Sequence, residues 1–195
     1  MKFIISDKEE ALSLIKEIVA ENYQVHVNDW NRIKDKEPKN ELLKAMDNIF
    51  RSTAQAQMEK GKKEIAFINI HYLRASLLDG SFGLMINTYS EDYYFDSIDC
   101  SIEWIPYEIR KYFEEDMKNL EQSIRRKNII ISQKELFDIR KKHYFDYLIL
   151  VAAFLIQCMD DIVALESFHK MSKKEKLYIQ YGEIYGHIMP IYESR

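Results

Sequence analysis

Only five glycines and three prolines interrupt the 195 residues. That is too little punctuation for a fold of many short strands and tight turns, so long elements are expected. Cysteine is nearly as scarce. Cys100 and Cys158 lie far apart and neither belongs to a Cys-x-x-Cys pair, which argues against a disulfide framework and reads as two reduced thiols. A long hydrophobic run is missing as well. The longest apolar stretch, 147–156, is about half of what a membrane span needs, and Asp146, Asp160 and Asp161 flank it closely. The opening residues 1–7 hold too short an apolar run for a secretory leader. A soluble, cytoplasmic protein with no membrane partner is the expectation. The net charge of −4 carries no global basic footprint for nucleic acid.

The catalytic signatures that a sequence displays openly are absent too. There is no Gly-rich phosphate loop, no Gly-x-Ser-x-Gly elbow and no His-Glu-x-x-His helix. This removes well-marked enzyme classes and leaves those whose sites are scattered along the chain. No cofactor is indicated.

What is present is material for a core: 47% hydrophobic and 13% aromatic residues in a chain of single-domain length, 1–195. Ser6 and Glu9 form a capping box before apolar positions at Leu12, Ile15, Ile18 and Val19, predicting a helix over 7–23. Residues 24–38 read as a loop. Leu42, Leu43, Met46, Ile49, Phe50 and Met58 predict a second helix over 39–60, closed by Gly61. The period then shortens. Segments 65–73, 84–89 and 97–104 read as strands, with Asp79-Gly80 as turn chemistry between the first two. Ile98, Cys100, Ile102 and Trp104 alternate with polar residues in the third. Pro106 opens a helix to about 127. Capping boxes at Ser132/Glu135 and Ser172/Glu175 predict a long helix over 133–169 and a last one ending at Pro190. The expected fold is therefore α+β and mainly helical: about five helices, with a small three-stranded antiparallel meander inserted after the second.

Three stretches are candidates for function. Segment 89–104 combines Glu91, Asp92, Asp96, Asp99 and Glu103 with Tyr89, Tyr93, Tyr94, Phe95 and Trp104, and contains no Lys or Arg. Rings give buried area and charges steer an encounter, so Asp92, Tyr93, Tyr94, Phe95 and Asp96 are the expected contact set for a basic protein partner. The plainer account is a solvated hairpin edge whose charge discourages strand pairing. On the long helix, at about 100° per residue, His143, Asp146, Gln157, Asp160 and Asp161 fall on one seam. That seam either lines a pocket for a small ligand or metal, or is the one wet edge of a buried helix.

Glu166 and His169 have the i, i+3 spacing of a metal-binding pair, but no second pair completes a site. The polar end of a helix explains them, and no metal site is assigned. His71, Asn69 and Arg74 are polar groups on the otherwise apolar first strand, suited to a pocket wall or to a hydrogen-bonded edge. Gly182 and Gly186, four apart on the expected last helix, allow close packing within the fold or across a homodimer. Between 110 and 142, ten basic residues are interrupted by six acidic ones, the pattern of a solvated face rather than a nucleic-acid patch. Two functional readings follow. The leading one is a non-enzymatic binding or regulatory protein acting through the meander and its acidic, aromatic edge. The alternative is a small-ligand or metal-dependent helical enzyme that uses the seam.

Overall fold

A computed structural model describes residues 8–194. The architecture is α+β, with helices packed on one face of a five-stranded mixed sheet. The capping box expected at Ser6 lies outside the described residues.

The first element, α1 (Lys8–Ile33), runs straight through the segment expected to be a loop. The reason is visible in spacing. Tyr23, His26, Trp30 and Ile33 continue the three-and-four rhythm of Leu12, Ile15 and Val19, and Trp30 is buried against Phe154. Polar neighbours masked the stripe. Next, α2 (Glu37–Lys60) starts with Pro38 in its first turn and ends on Gly61, whose φ of 74° is the left-handed cap that glycine adopts without strain.

Strands β1 (Ile65–Tyr72), β2 (Leu84–Tyr89) and β3 (Ser101–Trp104) are antiparallel neighbours. Between β1 and β2, Asp79-Gly80 closes the short helix α3 (Arg74–Asp79) rather than a tight hairpin, with Gly80 as its left-handed cap. The expected three-stranded meander is not a closed unit, because the sheet continues. Its order is β3-β2-β1-β4-β5, with β4 (Lys173–Glu183) parallel to β1 and β5 (Ile188–Glu193) antiparallel to β4. The last helix of the expectation is thus two strands. Leu177, Ile179 and Tyr181 are buried while Tyr178 and Gln180 between them are only half-buried. That period of two competes with the helical spacing of Leu177, Tyr181 and Ile184, and pairing to β1 decides between them. The glycines expected to pack helices serve the turn instead. A Cβ on Gly182 would sit 2.2 Å from the His187 carbonyl oxygen.

Helix α4 (Tyr107–Arg126) follows Pro106, and α5 (Gln133–Gln157) begins with the reciprocal Ser132/Glu135 box. The long helix then breaks. Cys158 leads into α6 (Met159–Val163), and extended Leu165 separates α6 from α7 (Glu166–Lys170). Ile68, Ile70, Ile86, Ile179 and Tyr181 are buried on the helix-facing side of the sheet. There Thr53 of α2 meets Thr88 at 2.8 Å, and the Tyr181 hydroxyl donates to the Leu148 carbonyl at 3.1 Å. The other face carries Phe67, Asn69 and His71 beside Asn87 and Gln180, and Tyr93 lies over it. Among the described residues no helix is long and apolar enough to cross a membrane.

Candidate functional site

Where α1, α4 and α5 meet, one carboxylate gathers three side chains. Asp116 is fully buried, and it sits on the apolar stripe of α4 between Phe113 and Leu120. Its Oδ2 lies 2.7 Å from His143 Nε2 and accepts the Tyr147 hydroxyl at 2.8 Å. Its Oδ1 lies 2.9 Å from His26 Nδ1, which is also 3.2 Å from the Tyr147 oxygen. A buried charge survives only when partnered in this way. Rings hold the arrangement. His26 stacks on Tyr112 at 4.6 Å, and Tyr23 meets His143 and Tyr147 edge-on at 5.7 and 5.1 Å. Burial, followed by the Asp116 charge, pushes the Tyr147 phenol far above its ordinary range, so it remains a donor.

This cluster borders a cleft of about 660 Å³ between α1 and α5. Leu12, Val19, Ala20 and Ile139 give it an apolar wall, and His143 and Asp146 lie at its polar end. The His143 ring faces two ways. Nε2 is committed to Asp116, and a carboxylate acceptor there fixes the proton on that nitrogen. Nδ1 is buried, has no hydrogen-bond partner, and stands 3.8 Å from the Asp146 carboxylate. The cleft therefore offers a lone pair and a carboxylate side by side. Its two lysines, Lys16 and Lys142, are matched in number by Glu135 and Asp138. None of the lining residues is Ser, Thr or Cys, and the Tyr23 hydroxyl donates to the Asp146 carbonyl at 3.1 Å.

The structure divides the expected seam. His143 and Asp146 reach the cleft together. Gln157 stands about 16 Å further along by helical rise, where it accepts from Lys34 at 2.7 Å and donates to Asp35 at 3.1 Å. Asp161 pairs with Lys39 at 2.7 Å, and Asp160 is exposed on α6. Neither aspartate lines the cleft, whose last residue on α5 is Asp146. Glu166 pairs with Lys170 at 2.7 Å, and His169 is exposed. Among the described residues no cluster of three His, Cys, Asp or Glu could hold a metal ion.

The acidic, aromatic edge is on the surface, but its charge is largely spent inside the chain. Asp92 pairs with Lys63 at 2.5 Å and Glu91 with Lys174 at 3.0 Å. Asp96 and Lys62 form a buried pair at 2.9 Å, and Lys62 also donates to the Ile98 carbonyl at 2.6 Å. These acids anchor the loop. Tyr93 is half-buried, taking a hydrogen bond from Asn69 at 2.5 Å. Tyr94 is exposed beside Tyr185 at 5.0 Å, and Phe95 is 92% exposed at the tip.

Sequence reasoning missed Asp116, His26 and Tyr147. One signal was available: Asp116 interrupts the apolar spacing of Ile109, Tyr112, Phe113, Met117 and Leu120 at a position that belongs to the stripe. Compared with models of known families, with curated proteins and with solved structures, the chain finds no match.

Proposed function

We propose that this protein binds a small amphipathic molecule bearing a protonated amine in the α1/α5 cleft. The observation that carries the reading is His143: a nearly fully buried ring, held by Asp116 on one nitrogen and unpartnered on the other at the cleft wall. Two acceptors 3.8 Å apart, Nδ1 and the Asp146 carboxylate, suit a head group with several N–H donors, because an ammonium reaches both at once. The apolar wall takes the body of the ligand, in keeping with small-molecule sites that are mostly apolar with a few placed polar groups. The lining has no Ser, Thr or Cys, and its Tyr23 hydroxyl is engaged by the Asp146 carbonyl, which favours binding over acyl-transfer chemistry. The loop around Phe95 loses ground as the main functional surface, because the acids meant to steer a basic partner are already paired.

The test is a set of probes with one tail and three heads: octylamine, octanol and octanoate, below their micellar concentrations, followed by NMR and calorimetry. Octylamine is expected to bind tightest and to shift the resonances of His143, Tyr23 and Ile139. Asp146→Asn is expected to weaken it tenfold or more, the equivalent of about 1.5 kcal/mol for a hydrogen bond to a charged group. Equal binding of all three probes, or no shift at His143, would sink the reading.

A further inference from the structure

Helix α5 has a second face that nothing in the fold covers. Phe145, Ile149 and Ile156 are spaced four and seven residues, which places them on one stripe, while Ala152 between the last two is buried. Phe145 is 37%, Ile149 67% and Ile156 52% exposed. The opposite side of the same helix buries Tyr144, Tyr147, Leu148, Val151 and Leu155. Met189 of the edge strand β5, 44% exposed, extends the apolar surface. It pairs with Tyr181, whose hydroxyl reaches α5 at Leu148, so the strand and the helix form one surface. An amphipathic helix normally turns polar residues outward, and a contiguous apolar patch marks an interaction site.

The charges at the two ends of the stripe identify the occupant. Lys141, one turn before Phe145, and Asp160, one turn after Ile156, are both exposed, and neither has an ion-pair partner among the described residues. The chain continues almost helically through Cys158, whose N–H donates to the Phe154 carbonyl at 3.0 Å and whose carbonyl accepts from Ile162 at 3.0 Å, so Asp160 stays near the line of the stripe. We propose that the stripe is the seat of a second copy of this chain, related by a two-fold axis passing near Leu150 and Val151, with the two α5 helices antiparallel. That register places Phe145 on the partner's Ile156 and brings the two copies of Ile149 to either side of the axis. It also places Lys141 against the partner's Asp160, and a two-fold axis repeats each contact twice. A parallel pairing would instead oppose lysine to lysine and aspartate to aspartate. The antiparallel one matches opposite charges and opposes the helix dipoles favourably. This inference does not rest on the amine site, although Asp146 and Lys142 of the cleft lie three and seven residues before Ile149 on the same helix.

Light scattering after size-exclusion chromatography at about 50 μM tests it directly. The expected mass is twice the 23.4 kDa of the chain. Ile149→Glu is expected to give a monomer with an unchanged circular dichroism spectrum, because the residue is exposed. Lys141→Glu and Asp160→Lys are each expected to raise the dimer dissociation constant about tenfold, and the double variant to return it to within about twofold of the starting value. A monomeric wild-type chain overturns the proposal. So does a dimer indifferent to Ile149→Glu, as when the stripe serves a different protein, or a double reversal that fails to restore pairing.

Discussion

Two polar clusters are buried in this molecule, and they are built on opposite terms. Among the helices, Asp116 Oδ2 holds hydrogen bonds to both His143 and Tyr147, while its Oδ1 has only the close approach of His26 Nδ1, so one oxygen carries the network. On the outer face of the sheet, His71 is equally inaccessible, yet neither of its ring nitrogens has a hydrogen-bond partner. Asn69 and Asn87 beside it each leave a side-chain oxygen unpartnered. The first cluster is a network whose members depend on one another. The second is a set of neutral groups tolerated by their surroundings. Burial alone therefore does not tell how a polar residue contributes; its partners do.

The largest contrast should come from removing the centre of the network. Asp116→Ala takes the acceptor from the His143 imidazole and the Tyr147 phenol at once, and the neighbouring carboxylate from His26. The expected loss is about 2–5 kcal/mol, the cost of leaving the buried His143 and Tyr147 donors without an acceptor. Urea unfolding at pH 7.5 measures it. A loss below about 1 kcal/mol would show that the cluster is not interdependent.

The sheet cluster should announce itself by pH instead. Burial pushes the His71 pKa down from 6.5 to about 4. Between those values the unfolded chain binds a proton that the folded chain refuses, so stability falls as pH falls. The contribution is complete above pH 6.5, is lost progressively down to about pH 4, and has no further slope below. The expected loss is roughly 3 kcal/mol across the window. Asp96 does not confuse the reading. Although burial works against its ionisation, the Ser90 N–H and the Lys62 ammonium hold its pKa below the ordinary 3.8, so it acts only at lower pH. His71→Gln should flatten the slope between pH 6.5 and 4, and a slope unchanged by that substitution would reassign it to other groups.

Neither cluster was fully legible beforehand, and for different reasons. The second helix, the first two strands and the capping box before α5 follow from local spacing and chemistry, and the structure keeps them nearly residue for residue. The C-terminal strands were hidden because Leu177 and Tyr181 satisfy both a helical and a strand period. Only the parallel partner β1, more than a hundred residues earlier, selects the strand. At the site, His143 and Asp146 are readable because they are three apart on one helix. Their association with Asp116 and His26 is not, since it joins three helices. Reading 24–38 as a loop had already taken His26 off the stripe that delivers it.

A matched pair of hydroxyl deletions sharpens the comparison at smaller scale. Tyr147→Phe removes a donor to a buried carboxylate, with an expected cost of about 2 kcal/mol. Tyr93→Phe removes an acceptor of the Asn69 amide on the sheet, where both groups are neutral, and should cost about 1 kcal/mol. Both substitutions retain the ring, so the difference isolates the charge. Equal values by thermal or urea unfolding would mean that Asp116 does not strengthen the bond it receives.

The smallest expected effect separates the network from the cleft it supports. Asp146 stands beside His143 but outside the hydrogen-bonded cluster: its carboxylate is partly exposed and 3.8 Å from Nδ1, too far for a hydrogen bond. Asp146→Asn should therefore change unfolding stability by less than about 0.5 kcal/mol, as for a surface group without a buried partner, while weakening octylamine about tenfold. Asp116→Asn should do the reverse in order, damaging stability first and binding through the loss of the partner that orients His143. If Asp146→Asn instead destabilises the fold as strongly as Asp116→Asn, the carboxylate belongs to the scaffold. The cleft would then have only one free acceptor, too few to hold an ammonium in preference to a hydroxyl.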